Sequence, residues 1–288
     1  MKKILILANN DVGLYKFRKE IIEELLKENE IYISLPYGEL VDKLISMGCK
    51  FIDTPVDRRG INPLTDLKLL NSYRKLFNKI KPDLAITYTI KPNIYASLIA
   101  RFKKIDYAVN ITGLGTAFQS DNLLRKLIVF LYKIALKKVK VVFFENEENQ
   151  NIFINEHIVS RDKTCKLNGA GVNLEDYPLM EYPDENQDIH FLFIGRIMKE
   201  KGIDELLEAA GRIKKDYPAV QFDIVGPMED NYKETIDEYV NNDVINYYGF
   251  QSDVKPFIKQ CHCFILPSYH EGMANTLLES ASMGRPLI

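Results

Sequence analysis

The sequence lacks most of the features that would settle its class at a glance. No run approaches the ~20 consecutive apolar residues that a helix needs to span a bilayer, so no spanning segment is expected. Four cysteines in 288 residues are too few and too scattered for a disulfide framework. Lys and Arg number 38 against 40 Asp and Glu, a net charge of -2, which excludes the global basic field of a nucleic-acid binder. Cys261-His262-Cys263 has no second Cys/His pair near it, and Cys263 opens an apolar run, so no metal site is expected. The dinucleotide fingerprint is missing as well. Gly113-x-Gly115 would need its third glycine where Phe118 stands, and the first strand-loop-helix carries none, so a nicotinamide oxidoreductase is not expected.

What is present is a globular, alternating chain, 46% hydrophobic and long enough for two domains. The opening M-K-K-I-L-I-L-A-N-N has too short an apolar core for a signal peptide; it reads as a strand, and a cytoplasmic protein is expected. Strands at 3–8, 31–35, 51–54 and 84–88 alternate with helices at 14–27, 39–47 and 64–80. Such alternation specifies a parallel sheet covered on both faces, with ligands held by the loops after the strands. Three of those loops carry candidate residues. The first, 9–18, holds Gly13, Tyr15, Lys16 and Arg18; the second, 89–93, holds Lys91 and Asn93; the third, 110–116, holds Gly113, Gly115 and Thr116. Lys91 is the only titratable group in the second loop, and no histidine precedes His157. Residues 123–140 are apolar and cationic, fitting either a buried helix or a helix seated on an anionic membrane surface. Domains are expected at 1–176 and 189–288, joined by a polar, proline-bearing linker at 177–188.

The organising stretch is S-Y-H-E-G-M-A-N-T-L-L-E-S-A-S-M-G, residues 268–284. It follows an apolar strand at 263–267 and leads into a helix at 274–283, with Gly284 placed for a left-handed cap. Strand, glycine turn and helix start make a site for anions, because unpaired backbone N–H groups and the helix dipole converge there. Glu271 in the turn and Glu279 within the helix bracket it. If both were helical they would stand ~12 Å apart along the axis. Two carboxyl groups that share one scissile bond stand ~5 to 9.5 Å apart, so these should touch different parts of one long ligand. A second strand, loop and helix at 190–215 carries Gly195-Arg196 and Lys201-Gly202, a bidentate cation and a point cation suited to a diphosphate. A third turn holds Gly249-Phe250.

G-R-x4-K-G, G-F and E-x7-E, in this order, resemble the donor site of retaining family 4 glycosyltransferases of the GT-B fold. The first half resembles the acceptor half of bacterial transferases that extend undecaprenyl-diphosphate-linked sugars. The resemblance implies an α/β protein of two Rossmann-like domains with parallel sheets facing across a cleft. It implies transfer of a hexose or N-acetylhexosamine from a UDP-sugar to a lipid-linked saccharide with retention, and no metal or other cofactor. Arg196, Lys201 and Gly195 would then hold the donor diphosphate and Gly249 and Phe250 the base. Gly272, Met273, Ala274, Asn275 and Thr276 would line the phosphate turn, Glu279 would take the ribose, and Glu271, with Lys91, would act at the sugar. Some relatives place a histidine in the loop that here reads Thr89-Ile90, so that contact does not carry over. Relatives also continue past the position of Ile288, and an incomplete second domain is expected. A UDP-sugar epimerase of the same fold, or a silent nucleotide-sugar-binding fragment, are the alternatives.

Overall fold

A computed structural model of the chain describes residues 1–57, 62–115, 118, 123–184, 188–229 and 231–288. Thr116 and residues 185–187 of the expected linker lie outside the described residues. The chain divides into two compact units, Met1–Ala170 and Gly171–Ile288.

The first unit runs β1 (Lys2–Leu7), α1 (Asp11–Leu26), β2 (Asn29–Leu35), α2 (Val41–Ser46), β3 (Lys50–Asp53), α3 (Pro63–Ile80), β4 (Leu84–Tyr88), α4 (Ile90–Lys103), β5 (Asp106–Ile111), α5 (Leu123–Ala135), β6 (Val141–Phe144), α6 (Glu147–Asn155) and β7 (Thr164–Lys166). Its seven strands are all parallel, in the order β3-β2-β1-β4-β5-β6-β7. The sequence of β1 shows why both faces are covered. Neighbouring side chains on a strand point to opposite faces. Ile4 and Ile6 go to one core with Leu14, Ile22, Val41 and Leu44 from α1 and α2, while Leu5 and Leu7 go to the other with Tyr73, Phe77 and Ile99 from α3 and α4. Each such side chain, once buried, contributes about 1.5–3 kcal/mol.

The second unit runs β8 (His190–Ile194), α7 (Ile203–Asp216), β9 (Gln221–Val225), α8 (Lys233–Asn241), β10 (Asn246–Tyr247), α9 (Lys255–Gln260), β11 (Cys263–Phe264) and α10 (Asn275–Ser282). Its sheet is parallel in the order β10-β9-β8-β11, and Leu287 pairs in parallel beyond Phe264 as a further position. Residues 171–184 form no helix or strand, yet Tyr177 and Met180 pack on the core of this unit. No helix among the described residues is long and apolar enough to cross a membrane.

Two local readings are corrected. Gly13, Tyr15, Lys16 and Arg18 do not lie in a loop: α1 begins at Asp11, because the Asn10 side chain accepts from Gly13 N at 2.7 Å and caps the first turn. The stretch 89–93 is likewise not a loop, since α4 begins at Ile90. Thr89 alone, at φ 70°, turns the chain from strand to helix. Pro92 is tolerated there because an N–H in the first turn has no intrahelical partner to lose. The cationic helix of 123–140 ends as α-helix at Ala135 and tightens into a 3-10 turn at Leu136–Lys138.

Candidate functional site

In a doubly wound sheet the ligand crevice opens where neighbouring strands send their helices to opposite faces. In the second unit that point lies between β8 and β11, at the start of α7 and α10. Neither helix start has a side-chain cap, whereas α1, α3 and α6 are each capped by an asparagine. The N-cap residues of α7 and α10, Gly202 and Ala274, therefore supply no side-chain acceptor to the first backbone N–H groups of these helices.

Glycines bring the strand-end turns together. Gly202 has φ +68°, and a Cβ there would stand 2.1 Å from the Pro267 carbonyl oxygen. This close approach seats the turn of Arg196 and Lys201 against the end of β11. Tyr269 N donates to Glu200 O at 3.1 Å across the same seam. Lys201 and Glu271 then pair through Nζ and Oε1, with both side chains mostly shielded from solvent. Gly226, at φ +147°, has the carbonyl of Gly195 where its Cβ would be, and its N–H donates to Gly249 O at 2.8 Å. Three glycines that end three adjacent strands thus lie in one layer, which brings Gly195, Gly249 and the exposed Phe250 to the same rim.

Behind the turn of Gly272 and Met273, Ala274 is buried at the N-cap of α10, followed by Asn275 and Thr276 in its first turn. Asn275 Oδ1 and Ser268 Oγ are buried there with no hydrogen-bond partner among the described residues. Glu279 is buried one turn further along. Burial raises the pKa of the Tyr177 hydroxyl, and its hydrogen bond to the Glu279 carboxylate raises it further, holding the proton on the tyrosine. Arg196 is half-buried and pairs with no acid among the described residues. At its other end α10 closes as expected: Gly284 has φ +79°, Gly284 N donates to Ala281 O at 3.0 Å and Arg285 N to Ser280 O at 3.0 Å.

In the first unit the corresponding point lies between β1 and β4. Lys91 in the first turn of α4 pairs with Asp66 Oδ1 at 2.7 Å, and Tyr95 Oη donates to Asp66 Oδ2 at 2.9 Å. Arg18 pairs with Glu145 Oε1 at 2.7 Å and lies over the Tyr88 ring, 5.3 Å from its centroid. Asn93 is buried and donates to Asn110 O at 2.9 Å, tying α4 to β5. Gly113 stands in open space, while a Cβ at Gly115, φ +68°, would meet Ile90 Cδ1 at 2.8 Å. Tyr15 stacks under Lys43, at 5.2 Å, and Lys16 sits beside it in α1.

The expected donor residues therefore gather in the second unit and the expected acceptor residues in the first. Sequence reasoning missed Pro267, Tyr177 and Gly226 in one, and Asp66, Tyr88 and Glu145 in the other. Pro267, closing the apolar strand before Ser268, and Gly226, ending a strand as Val-Gly-Pro, gave a sequence signal. His262 is interior: Nδ1 accepts from His190 N at 3.1 Å and Nε2 faces Asp184 O at 3.3 Å. No group of three or more His, Cys, Asp or Glu able to hold a metal ion occurs among the described residues.

Comparison with known proteins bears on both units. The family model described as "Glycosyl transferase 4-like" matches residues 3–146, and "Glycosyl transferases group 1" matches residues 181–288. The chain is 27% identical to the N,N'-diacetylbacillosaminyl-diphospho-undecaprenol alpha-1,3-N-acetylgalactosaminyltransferase of Campylobacter jejuni, over 99% of this chain and 80% of that one. It is 30% identical to the UDP-Gal:alpha-D-GlcNAc-diphosphoundecaprenol alpha-1,3-galactosyltransferase of Escherichia coli, over 92% of this chain and 73% of that one. The structure of Anabaena Alr3699/HepE in complex with UDP and glucose superposes with a TM-score of 0.77 at 14% identity, covering 100% of this chain and 80% of that one, and shows the shared GT-B fold. The chain belongs to the family 4-like, group 1 glycosyltransferases.

Proposed function

We propose that this glycosyltransferase moves a hexose or N-acetylhexosamine from a UDP-sugar to a lipid-linked saccharide, with retention at the anomeric carbon, in the assembly of a bacterial surface glycan. The observation that carries this reading is the second-unit site. Two cations, two uncapped helix starts and two shielded carboxylates meet there at the ends of β8 and β11. Relatives whose names specify undecaprenyl-diphosphate-linked sugars, and a neighbour that binds UDP, support the substrate classes.

In the proposed reaction the bond from the anomeric carbon to the diphosphate breaks and its electron pair leaves with UDP. The acceptor hydroxyl oxygen bonds to that carbon and passes its proton to an oxygen of the departing diphosphate. Arg196 and Lys201 stabilise the charge growing on the departing diphosphate, aided by the helix starts. Glu279 hydrogen-bonds the ribose, and Gly249 and Phe250 take the base. Glu271 lies against the sugar, free to exchange Lys201 for the ligand's polar groups. Lys91, in the acceptor half, supplies a positive charge. Its carboxylate partner Asp66, 2.7 Å away, holds the ammonium in place. The enzyme works peripherally at a cytoplasmic membrane surface.

Calorimetric titration with UDP and a panel of UDP-sugars, followed by NMR of the product anomer, tests the proposal. Lys201→Ala and Glu279→Ala should each weaken UDP binding by about 1–3 kcal/mol. Unchanged affinity in both variants refutes the site. Inversion at the anomeric carbon refutes retention, and interconversion of UDP-sugars without an acceptor would identify an epimerase instead.

A further inference from the structure

The whole chain is close to neutral, at -2, but its charge is not evenly spread. Helices α3, α4 and α5 together carry ten Lys and Arg against one acid, Asp66. These three form one layer. Helix α4 packs between the other two, with Lys91 and Tyr95 bonded to Asp66 at one end and Arg101 Nη1 bonded to Ile134 O at 2.5 Å at the other. All three therefore start at the sheet edge that carries Lys91.

The outer side of this layer is apolar at that edge and cationic behind it. In α3, Leu64 and Leu67 are 69% and 60% exposed, followed by exposed Lys68, Arg74, Lys75 and Lys79. In α5, Leu123, Leu127 and Phe130 are 83%, 52% and 58% exposed; their i, i+4, i+7 spacing puts them on one face. Lys126 and Lys133 stand on the same face, and Lys137 and Lys138 continue it. None of the six exposed cations of α3 and α5 pairs with an acid among the described residues. An open cavity of about 320 Å³, lined by Arg125, Lys126, Val129, Phe130, Lys133 and Glu156, lies on this side of α5. Five large apolar side chains in water are a cost to a protein that keeps them there without a partner. A surface that combines them with unpaired cations complements the interface of an anionic bilayer, where apolar groups enter the acyl boundary and cations meet phosphate headgroups.

We infer that the α3–α5 layer is the face by which this protein docks on an anionic phospholipid bilayer, with Leu64, Leu67, Leu123, Leu127 and Phe130 as the inserted rim. The inference rests on the proposed lipid-linked acceptor and deepens it. It places the inserting rim at the edge that holds Lys91, so a saccharide rising from the bilayer reaches the acceptor half without leaving the surface.

The chain contains no tryptophan, so Phe130→Trp gives a single reporter. Flotation with phosphatidylglycerol and with phosphatidylcholine vesicles tests the docking. The full chain should float with phosphatidylglycerol only, and added salt should release it. Emission of the Phe130→Trp chain should shift to the blue on binding. Lys126→Gln and Lys133→Gln should each lower partitioning about fivefold, and Leu127→Ser with Phe130→Ser should lower it further. Lys214→Gln and Lys233→Gln, in the second unit, should leave it unchanged. Circular dichroism verifies that each exposed substitution leaves the fold intact. Absence of flotation at low salt overturns the inference. So does flotation that ignores the α5 substitutions, or binding with no emission shift and no dependence on Leu127 and Phe130, which would point to an acidic protein partner. Transfer to a short-chain, water-soluble acceptor in vesicle-free buffer is measured on the same samples. Its loss would count against the catalytic reading and not against the docking face.

Discussion

Replacing Gly202 by alanine tests how the strand-end turns of the second unit are held together. Two penalties combine at this position. A side chain at φ +68° costs roughly 1–2 kcal/mol in the left-handed region. The new Cβ would stand 2.1 Å from the Pro267 carbonyl oxygen and 2.8 Å from its carbon. Ordinary C···O approaches lie at about 3.3–3.6 Å, so the turn must retreat by at least ~1 Å. Forcing a packed site apart on that scale adds about 1–3 kcal/mol. The total expected loss in unfolding free energy is about 2–5 kcal/mol, read from the urea midpoint at constant slope. Because the turn carries Lys201, the retreat also draws that ammonium from Glu271, and a ~1 Å misplacement of a binding group is worth up to 100-fold in turnover. Two glycines serve as internal standards. Gly249 shares the left-handed conformation, φ +64°, with nothing within 4 Å, so Gly249→Ala should show the first penalty alone. Gly113 has neither feature, and Gly113→Ala should be nearly silent. If Gly202→Ala is no more damaging than Gly249→Ala, the reading of the Gly202–Pro267 contact as the seam of the site is wrong.

Asp66→Asn should leave Lys91 with a neutral partner, costing about 1–3 kcal/mol of stability. It should lower kcat while the KM for the donor stays unchanged, and Asp66→Glu should restore part of the loss; an unaltered kcat would remove Lys91 from the chemistry. Burial pushes the Cys49 thiol up to about 11 and the Cys261 thiol up to about 12 from the ordinary 9. The native state therefore holds these protons more tightly than the unfolded chain. That stability is fully present below pH ~9 and is lost as pH rises through 9 towards the shifted values. The urea midpoint should fall from about pH 9 upward. At pH 8 a thiol reagent should titrate Cys165 alone, since Cys49, Cys261 and Cys263 are buried; rapid reaction of a second thiol would contradict the packing.

The architecture was legible because buried parallel strands announce themselves. Ile4 to Leu7, the 84–88 run and the 190–194 run are apolar on both alternations, and each is a strand. The Gly284 cap was legible too, since a left-handed residue after a helix favours glycine. The starts of α1 and α4 were not. Gly13 and Pro92 normally signal a break, but an asparagine cap and an unneeded N–H make both acceptable in a first turn. The two-residue strands β10 and β11 are shorter than their apolar runs. Even so, backbone bonds from Ile265 to Leu192 and from Leu266 to Ile288 continue beyond β11. At the candidate site, motif residues were visible one by one, whereas Asp66, Glu145 and Tyr177 were not. Their importance comes from neighbours 25, 127 and 102 positions away, respectively, a spacing that no local pattern records.

The two units solve one geometric problem with different chemistry. Both sheets place the first and fourth strands of the unit side by side, so both open a crevice at the same topological point. In the second unit, glycine at 195, 202, 226 and 249 removes side chains from that opening and lets backbone and helix starts face it. That arrangement favours an extended anion, because N–H groups and the macrodipole act on charge at close range. In the first unit the opening is filled by side chains instead. Arg18 is held between Glu145 and Tyr88, Lys91 is held by Asp66, and Thr89 keeps a left-handed backbone that a β-branched residue adopts only under constraint. Positioned side chains suit the selection of neutral hydroxyls, which are told apart by direction more than by charge. The proposed polarity of the reaction, a charged donor at the second unit and a sugar acceptor at the first, matches where each sheet spends glycine and where it spends paired side chains.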